Sequence, residues 1–265
     1  MKTPKASILV VNYNNAKFIE ENINSLKKQT YRNVEIVYYD DFSSDDSISL
    51  LKKYKNLKLI KNNKRGKFGS YNQMNGFLKA YKKSKGDILF LLDSDDYFDS
   101  RKVEKIMREF KKNKKIIAIY DLPIYLKKNN FKKIKNKKKI FQTYWPYIPP
   151  QSCTAIRREV FEELIFKISF NSFPDIWMDF RLGIYLKYIK KKFHFINENL
   201  TYYRQVENSA SSKFSFISFN WWKRRMQAHD YIKFFFTRNK IFYRKNFDYY
   251  LTKFINFFIK WKKNF

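Results

Sequence analysis

The stretch Asp87–Asp93, DILFLLD, constrains the fold more than any other in the chain. Five consecutive apolar residues stand between two aspartates, with no polar side chain on either alternating set. A strand with one wet face alternates apolar and polar residues, so a strand without alternation must be covered on both sides. Ser7–Tyr13 (SILVVNY) and Val34–Asp40 (VEIVYYD) have the same β-branched and aromatic character. Between them, AKFIEENINSLKKQT places Phe18, Ile19, Ile23 and Leu26 on one helical face. Asp45 or Asp46 is positioned to cap a helix through Leu50 and Leu51, LKLI (57–60) reads as a short strand, and the helix SYNQMNGFLKAYKKSKG is expected to stop at Gly86 as its C-cap. This β-α-β succession predicts an α/β fold with a Rossmann-like, doubly wound, mainly parallel sheet. Ligands of such sheets sit beyond the carboxyl ends of the strands.

One of those carboxyl ends is crowded with acid. Asp93, Asp95, Asp96 and Asp99 follow the apolar run directly, in a chain whose net charge is +32. A cap at Asp99 or Ser100 for the helix RKVEKIMREF accounts for one carboxylate, not four. Asp93-Ser94-Asp95 brings two carboxylates to the point where the backbone leaves the sheet. Mg²⁺ or Mn²⁺ needs only one or two protein carboxylates when phosphate oxygens complete its shell. An EF-hand is excluded by Phe98 at the position that demands glycine and by the strand that precedes the loop. A second acidic group, DDFSSDDS, ends the strand VEIVYYD. A turn and an N-cap use Asp45 and one serine, which leaves the Asp40-Asp41 pair to accept from base N–H groups or ribose hydroxyls. Cys153, His194 and His229 are the only residues of their types, so neither an intrachain disulfide, a conventional zinc site nor a His-based triad can be assembled. Any metal is expected to be a hard cation held by oxygen.

Taken together, SILVVNYNNAKFIEENINSLKKQTYRNVEIVYYDDFSSDDS and GDILFLLDSDDYF resemble the nucleotide-sugar-binding half of the family 2 glycosyltransferases, which have the GT-A fold. The resemblance covers roughly residues 6 to 110. It implies that Tyr13 lines the nucleotide, that Asp41 binds the base, and that Asp93 and Asp95 are the DxD pair serving ribose, diphosphate and a divalent cation, Mn²⁺ or Mg²⁺. Phe42 departs from the family, which often has glycine there. Later, PPQSCTAIRREVFEEL resembles the acceptor-side loop and its helix, and FPDIWMDFRLGIYL the segment bearing the catalytic base. The usual Glu-Asp pair is Pro174-Asp175 here, so Asp175 is the first choice for the base from its spacing to Arg181, with Asp179 in reserve. A cap for the helix after Pro174 is the rival role for Asp175. The resemblance implies an inverting enzyme that moves a hexosyl or N-acetylhexosaminyl group from a nucleotide-sugar donor, a UDP-linked one, to a saccharide or lipid-linked saccharide acceptor in cell-surface polysaccharide or glycolipid assembly.

Regular alternation fades beyond Asp121. We expect a nucleotide-sugar half over 1–121, an acceptor and catalytic-base half over 122–212, and a basic aromatic helical tail over 213–265. Residues 122–265 carry 30 basic and 9 acidic side chains, the more anion-attracting part of the chain. LKKNNFKKIKNKKKIF (126–141) reads as an exposed loop or hairpin, and YWPYIPPQ as a Pro-broken loop. Within the tail, 19 aromatic and 13 basic residues face only Asp230 and Asp248. Phe247, Tyr250, Leu251, Phe254, Phe258 and Trp261 form one helical stripe, with Lys253, Lys260, Lys262 and Lys263 around it. Such a helix suits an anionic membrane surface. The first residues lack a signal-peptide core and no apolar run approaches the ~18 residues of a span, so the expected location is cytoplasmic, peripheral on the inner face of the cytoplasmic membrane. Two rival functions remain. A nucleotidyltransferase would carry a Gly-rich phosphate loop, for which NYNNAKF is a poor candidate. An RNA-binding protein fits the charge, yet no RNA-binding motif accompanies it, so nucleic acid is not an expected partner.

Overall fold

The chain, seen in a computed structural model, is described over residues 3–127, 130–133, 145, 148–168, 171–190, 192–206 and 214–261. In chain order the elements are β1 (Ala6–Asn12), α1 (Ala16–Lys27), β2 (Val34–Asp40), α2 (Ser47–Lys52), β3 (Lys58–Lys61), α3 (Gly69–Lys83), β4 (Ile88–Asp93), β5 (Tyr97–Phe98), α4 (Lys102–Lys112), β6 (Ala118–Lys127), β7 (Asn130–Lys133), β8 (Thr154–Arg157), α5 (Arg158–Lys167), α6 (Met178–Tyr185), β9 (Phe193–Arg204), α7 (Phe219–Arg238) and α8 (Phe247–Trp261). Among the described residues the strands form one sheet in the order β3-β2-β1-β4-β8-β6-β9-β5, with β7 paired to β6. Strands β3, β2, β1 and β4 run parallel, as the apolar runs require. Beyond them β8 lies antiparallel between β4 and β6, and β9 runs parallel to β6. The sheet is therefore mixed, and its α/β, Rossmann-like class is the one the strand pattern predicts. The Lys/Asn segment contributes the antiparallel β6–β7 pair; its residues 134–141 lie outside the described part.

Alternate residues of each central strand serve opposite faces. Ile8, Val10, Phe90 and Leu92 join Ile19 and Ile23 of α1 and Ile106 of α4. Leu9, Leu89 and Leu91 join Phe77 of α3, Phe161 of α5, Leu182 of α6 and Phe235 of α7 on the other face. Each such fully buried side chain contributes roughly 1.5–3 kcal/mol relative to exposure. α7 supplies Ala228, Tyr231, Ile232, Phe235 and Phe236 to this second cluster, so the first half of the aromatic tail is core. Phe18 is only partly buried, under the Arg204 guanidinium at 4.4 Å, and Asn22 takes the inward position on α1, donating to the Asp96 carbonyl at 2.7 Å.

Gly86 does not cap α3. The helix ends at Lys83 with Ser84 extended, and Gly86 lies beside β1, where an added Cβ would stand 2.4 Å from Ser7 Oγ. Its smallness admits the neighbouring strand rather than a left-handed turn. At α2 the N-cap residue is Asp46, whose side chain makes no capping bond; Asp45 just before it accepts from Ser47 N (3.0 Å) and also from Ala16 N (2.9 Å), tying α2 to the start of α1. Registers Asn12↔Asp40 and Val11↔Asp93 bring the carboxyl ends of β1, β2 and β4 to one level. That row of strand ends is the floor of the site.

Candidate active site

A cleft of about 590 Å³ opens above these strand ends. Tyr13, Asp41 and Arg65 line one end, Asp93, Asp95 and Gln73 the middle, and Trp177, Asp179 and Arg224 the far wall. Sequence reasoning named Tyr13, Asp41, Asp93, Asp95 and Asp179, and the fold brings all five into this one cleft. Its size suits a ligand of a few hundred daltons.

The two loops that build the first end hold each other. Asp40 is spent locally, accepting from Asn12 Nδ2 (2.7 Å) and Ser43 Oγ (2.7 Å). Ser43 Oγ accepts from Asn14 N (2.9 Å), and Asn14 Oδ1 accepts from Ser44 N (2.8 Å). Phe42 has φ 62°, the left-handed region that favours glycine, so the loop keeps the glycine-like conformation with a phenylalanine in it. Asp41 then faces the cleft. Its Oδ2 accepts from Arg65 Nε (2.9 Å) and its Oδ1 from Asn62 Nδ2 (2.9 Å). Burial raises its pKa in spite of these partners. The Arg65 guanidinium lies 3.5 Å from the centre of the Tyr13 ring. A flat cation stacked on an aromatic ring beside a carboxylate offers a planar heterocycle both a stacking face and an acceptor.

In the middle, Asp93 and Asp95 have few cationic neighbours. Gln73 Nε2 donates to Asp93 Oδ1 (2.9 Å), but burial, then the Asp95 and Asp179 charges, push the Asp93 carboxyl up to about 7. Burial likewise raises Asp95, against its own backbone hydrogen bond and the charge of Arg204. Asp96 turns inward, accepting from Ser152 Oγ (2.5 Å) and Arg204 N (2.8 Å). Asp99 Oδ1 accepts from Arg101 N (2.9 Å) ahead of α4. Thus only two of the four acids face the cleft. Among the described residues no cluster of three or more His, Cys, Asp or Glu forms a complete metal cage. Two raised carboxylates with no ion pair of their own among the described residues are what Mg²⁺ or Mn²⁺ accepts when a diphosphate supplies further oxygens, so the residues fit a cation of that kind.

At the far wall the two base candidates stand in different surroundings. Asp175 does not line the cleft. It accepts from Gln227 Nε2 (2.7 Å), receives Gln227 Oε1 at its own N–H (3.0 Å), and has Lys223 Nζ 3.8 Å away, so it ties its loop to α7. It does not cap α6 either; that helix begins at Met178 after Trp177. Asp179, in the first turn of α6, does line the cleft, with Phe180 N donating to Oδ1 (2.7 Å). Burial raises its pKa, opposed by Arg224. Arg181 is fully buried and clamps the preceding loop through the carbonyls of Ser172 (2.6 Å), Phe173 (3.0 Å) and Ile176 (3.1 Å). The Asp175–Arg181 spacing therefore reflects a loop and its clamp. Sequence reasoning missed Arg65, Gln73, Trp177 and Arg224. Arg65 had a faint signal, a basic residue in the loop NNKRGKFG after a strand; Arg224 had none within its run of aromatic and basic residues.

Known proteins resemble this chain in sequence and in fold. An uncharacterised glycosyltransferase of Nostoc is 31% identical over 219 residues, 76% of this chain and 64% of that protein. The Escherichia coli protein WfaP, a UDP-Glc:α-D-GlcNAc-diphosphoundecaprenol β-1,3-glucosyltransferase, is 34% identical over 117 residues, 43% of this chain and 44% of that one. The chain thus spans less than two thirds of the length of either relative. Among solved structures, Staphylococcus aureus TarS 1–349 in complex with UDP-GlcNAc superposes with a TM-score of 0.62 at 17% identity, covering 84% of this chain and 65% of that one, a likeness of fold. The family model for glycosyl transferase family 2 matches residues 7–165, more than half of the chain and the whole floor of the cleft. The chain belongs to glycosyl transferase family 2.

Proposed function

We propose that the protein transfers a sugar from a UDP-linked donor to a hydroxyl of a saccharide acceptor, with inversion at the anomeric carbon. The observation that carries this is the single cleft in which a stacking and acceptor pocket (Tyr13, Arg65, Asp41), an under-neutralised carboxylate pair (Asp93, Asp95) and a buried carboxylate (Asp179) follow one another. The uracil ring stacks at Tyr13 and Arg65, and its N–H donates to Asp41. The diphosphate lies over Asp93 and Asp95. Asp93 and Asp95 would hold a divalent cation, which would supply positive charge for the departing nucleoside diphosphate. Arg224, which lines the same cleft, is available to take part of the diphosphate's negative charge. Asp179 accepts the proton of the attacking hydroxyl as its oxygen reaches the anomeric carbon, and its raised pKa keeps the driving force for that transfer closer to neutral pH. Asp175 serves as a tether for the loop.

The E. coli relative's name includes a lipid-linked acceptor, and α8 supports a membrane-proximal site for this chain as well. Phe247 (80% exposed), Tyr250, Leu251, Phe254 (62%) and Phe258 face solvent, while Thr252 and Asn256 turn towards α7. Exposed Lys240, Lys245 and Lys253 accompany the aromatic face; the side chains of Lys260 and Trp261, and all of Lys262 and Lys263, lie outside the described part. No helix among the described residues is long and apolar enough to cross a membrane. We take an anionic bilayer surface as the occupant of this face, with the acceptor on the cytoplasmic leaflet. Incubation with UDP-linked sugars and a diphosphoundecaprenol-linked saccharide, with and without chelator, tests the reading. Acceptor-dependent release of UDP that stops in chelator is expected, and UDP release from no donor in the presence of Mn²⁺ would overturn it.

A further inference from the structure

Beneath the cleft, where the parallel strands meet the rest of the sheet, lies a lysine with no solvent exposure. Lys102 opens α4; its ammonium pairs with Asp121 Oδ1 on β6 at 2.8 Å and donates to the Ser152 carbonyl at 2.6 Å and to Thr201 Oγ1 on β9. Thr201 Oγ1 in turn donates to the second Asp121 oxygen, Oδ2 (2.6 Å). All four residues are fully buried. Ser152 continues the chain upward, its Oγ donating to Asp96 (2.5 Å) and accepting from Asp93 N (3.1 Å).

Burying an ion pair is unfavourable enough that an apolar pair of similar volume often serves stability as well or better. Core stability alone therefore does not account for charge at this place. What the charge secures is the backbone of Ser152, a residue that contacts both ends of the Asp93–Asp96 turn at once. The same short turn, Gln151–Cys153, brings Gln151 and its neighbour Pro150 to the cleft wall. Lys102 of α4 and Thr201 of β9 thus both reach one peptide carbonyl, and Asp121 of β6 partners the two of them.

We propose that the Lys102–Asp121 pair is a positioning device that fixes Ser152 and, through it, the separation of Asp93 and Asp95 before any donor binds. The proposal rests on the reading of Asp93 and Asp95 as the ligands of the cation and diphosphate. Lys102 and Asp121 touch no substrate; they act through the turn.

The test uses Ser152→Ala, which breaks the link to Asp93 and Asp96, and the double variant Lys102→Met with Asp121→Leu, which removes the charge pair without leaving one partner alone. Melting is followed with UDP over a Mn²⁺ titration, and amide exchange of residues 93–97 is measured without ligand. Both variants are expected to melt cooperatively near the wild-type temperature, to exchange faster at 93–97, and to need about 10- to 100-fold more Mn²⁺ for half of the UDP-dependent shift, the range typical of groups that orient metal ligands. A half-saturating Mn²⁺ within twofold of wild type in a folded variant, against that roughly tenfold minimum, overturns the proposal. Should the double variant fail to fold, Ser152→Ala decides alone. A wild-type protein whose melting ignores UDP and Mn²⁺ removes instead the ligand reading beneath it, and the positioning role falls with that reading.

Discussion

Replacing Asp179 by asparagine separates chemistry from folding at the cleft. The asparagine keeps an oxygen for Phe180 N, which donates at 2.7 Å to the native carboxylate, so the start of α6 retains its hydrogen bond. Burial raises the Asp179 pKa above the ordinary value of about 4. The folded protein therefore holds that proton to higher pH than the unfolded chain, and ionising the group at neutral pH lowers stability. Asparagine removes the charge, so the variant should melt no lower than wild type at pH 7.5 and should bind UDP as tightly. A lost general base, by contrast, typically costs a factor of 10²–10⁴, about 3–5 kcal/mol in the barrier. The assay is acceptor-dependent UDP release at saturating donor, alongside a melt and a UDP titration of the same preparation. Transfer within about threefold of wild type would refute the assignment, because it falls well below the least effect expected of a base. An inactive Asp175→Asn beside an active Asp179→Asn would return the role to Asp175.

Asp95→Ala should abolish both transfer and the Mn²⁺-dependent part of UDP binding while leaving the melting cooperative; wild-type transfer in excess chelator would remove the metal from the account. Because the Asp93 carboxyl is pushed up to about 7, protons compete with the cation there, and the Mn²⁺ needed for half-maximal UDP binding should fall as pH rises from about 6 to about 8; a flat profile would show that Asp93 does not share the ion. Phe254→Glu with Phe258→Glu alters two exposed side chains of α8 and should leave melting unchanged yet end co-sedimentation with anionic liposomes at low salt. If that variant instead turns a dimeric wild type into a monomer, the aromatic face belongs to a second copy of the chain. Phe42→Gly relieves a left-handed residue costing about 1–2 kcal/mol against a glycine entropy cost of about 0.5–1 kcal/mol, so melting should hold or rise, and a clear fall would contradict the strained turn.

The floor of the cleft was legible because local rules fix it. Unalternating apolar runs demand coverage on both faces, and acids at the ends of parallel strands must meet at the carboxyl edge, so the Asp40-Asp41 pair, Asp93 and Asp95 could be gathered without coordinates, whereas Tyr13 and the choice of Asp41 came with the resemblance to the family 2 glycosyltransferases. The walls were less legible because tertiary contacts decide them. Asp175 and Asp179 lie on one short segment, and only α7, with Gln227 and Lys223, shows which carboxylate is engaged elsewhere. The tail reads as one aromatic, basic stretch, yet α7 feeds Tyr231 and Phe235 into the core while α8 keeps Phe254 and Phe258 in solvent. No spacing rule distinguishes those stripes, since both are amphipathic and only one finds a partner face. Gly86 was misassigned for a related reason: a glycine after a helix marks a cap locally, whereas here the approach of β1 requires it. Lys102 stood unnoticed in a helix of charged residues, because burial of a lysine is decided by what converges on it.

A thermal-shift screen of nucleotide sugars with Mn²⁺ tests the central claim most directly, since a ligand that binds only the native state raises apparent stability by RT ln(1 + [L]/Kd), about 2.7 kcal/mol at a hundredfold excess over Kd. For a chain of this length that corresponds to a rise of roughly 5–10 °C. The account predicts such a rise with a UDP-linked sugar, its reduction in chelator and in Asp95→Ala, and no comparable rise with ATP or with RNA. Stabilisation by RNA or a nucleoside triphosphate, with none from any nucleotide sugar, would contradict it.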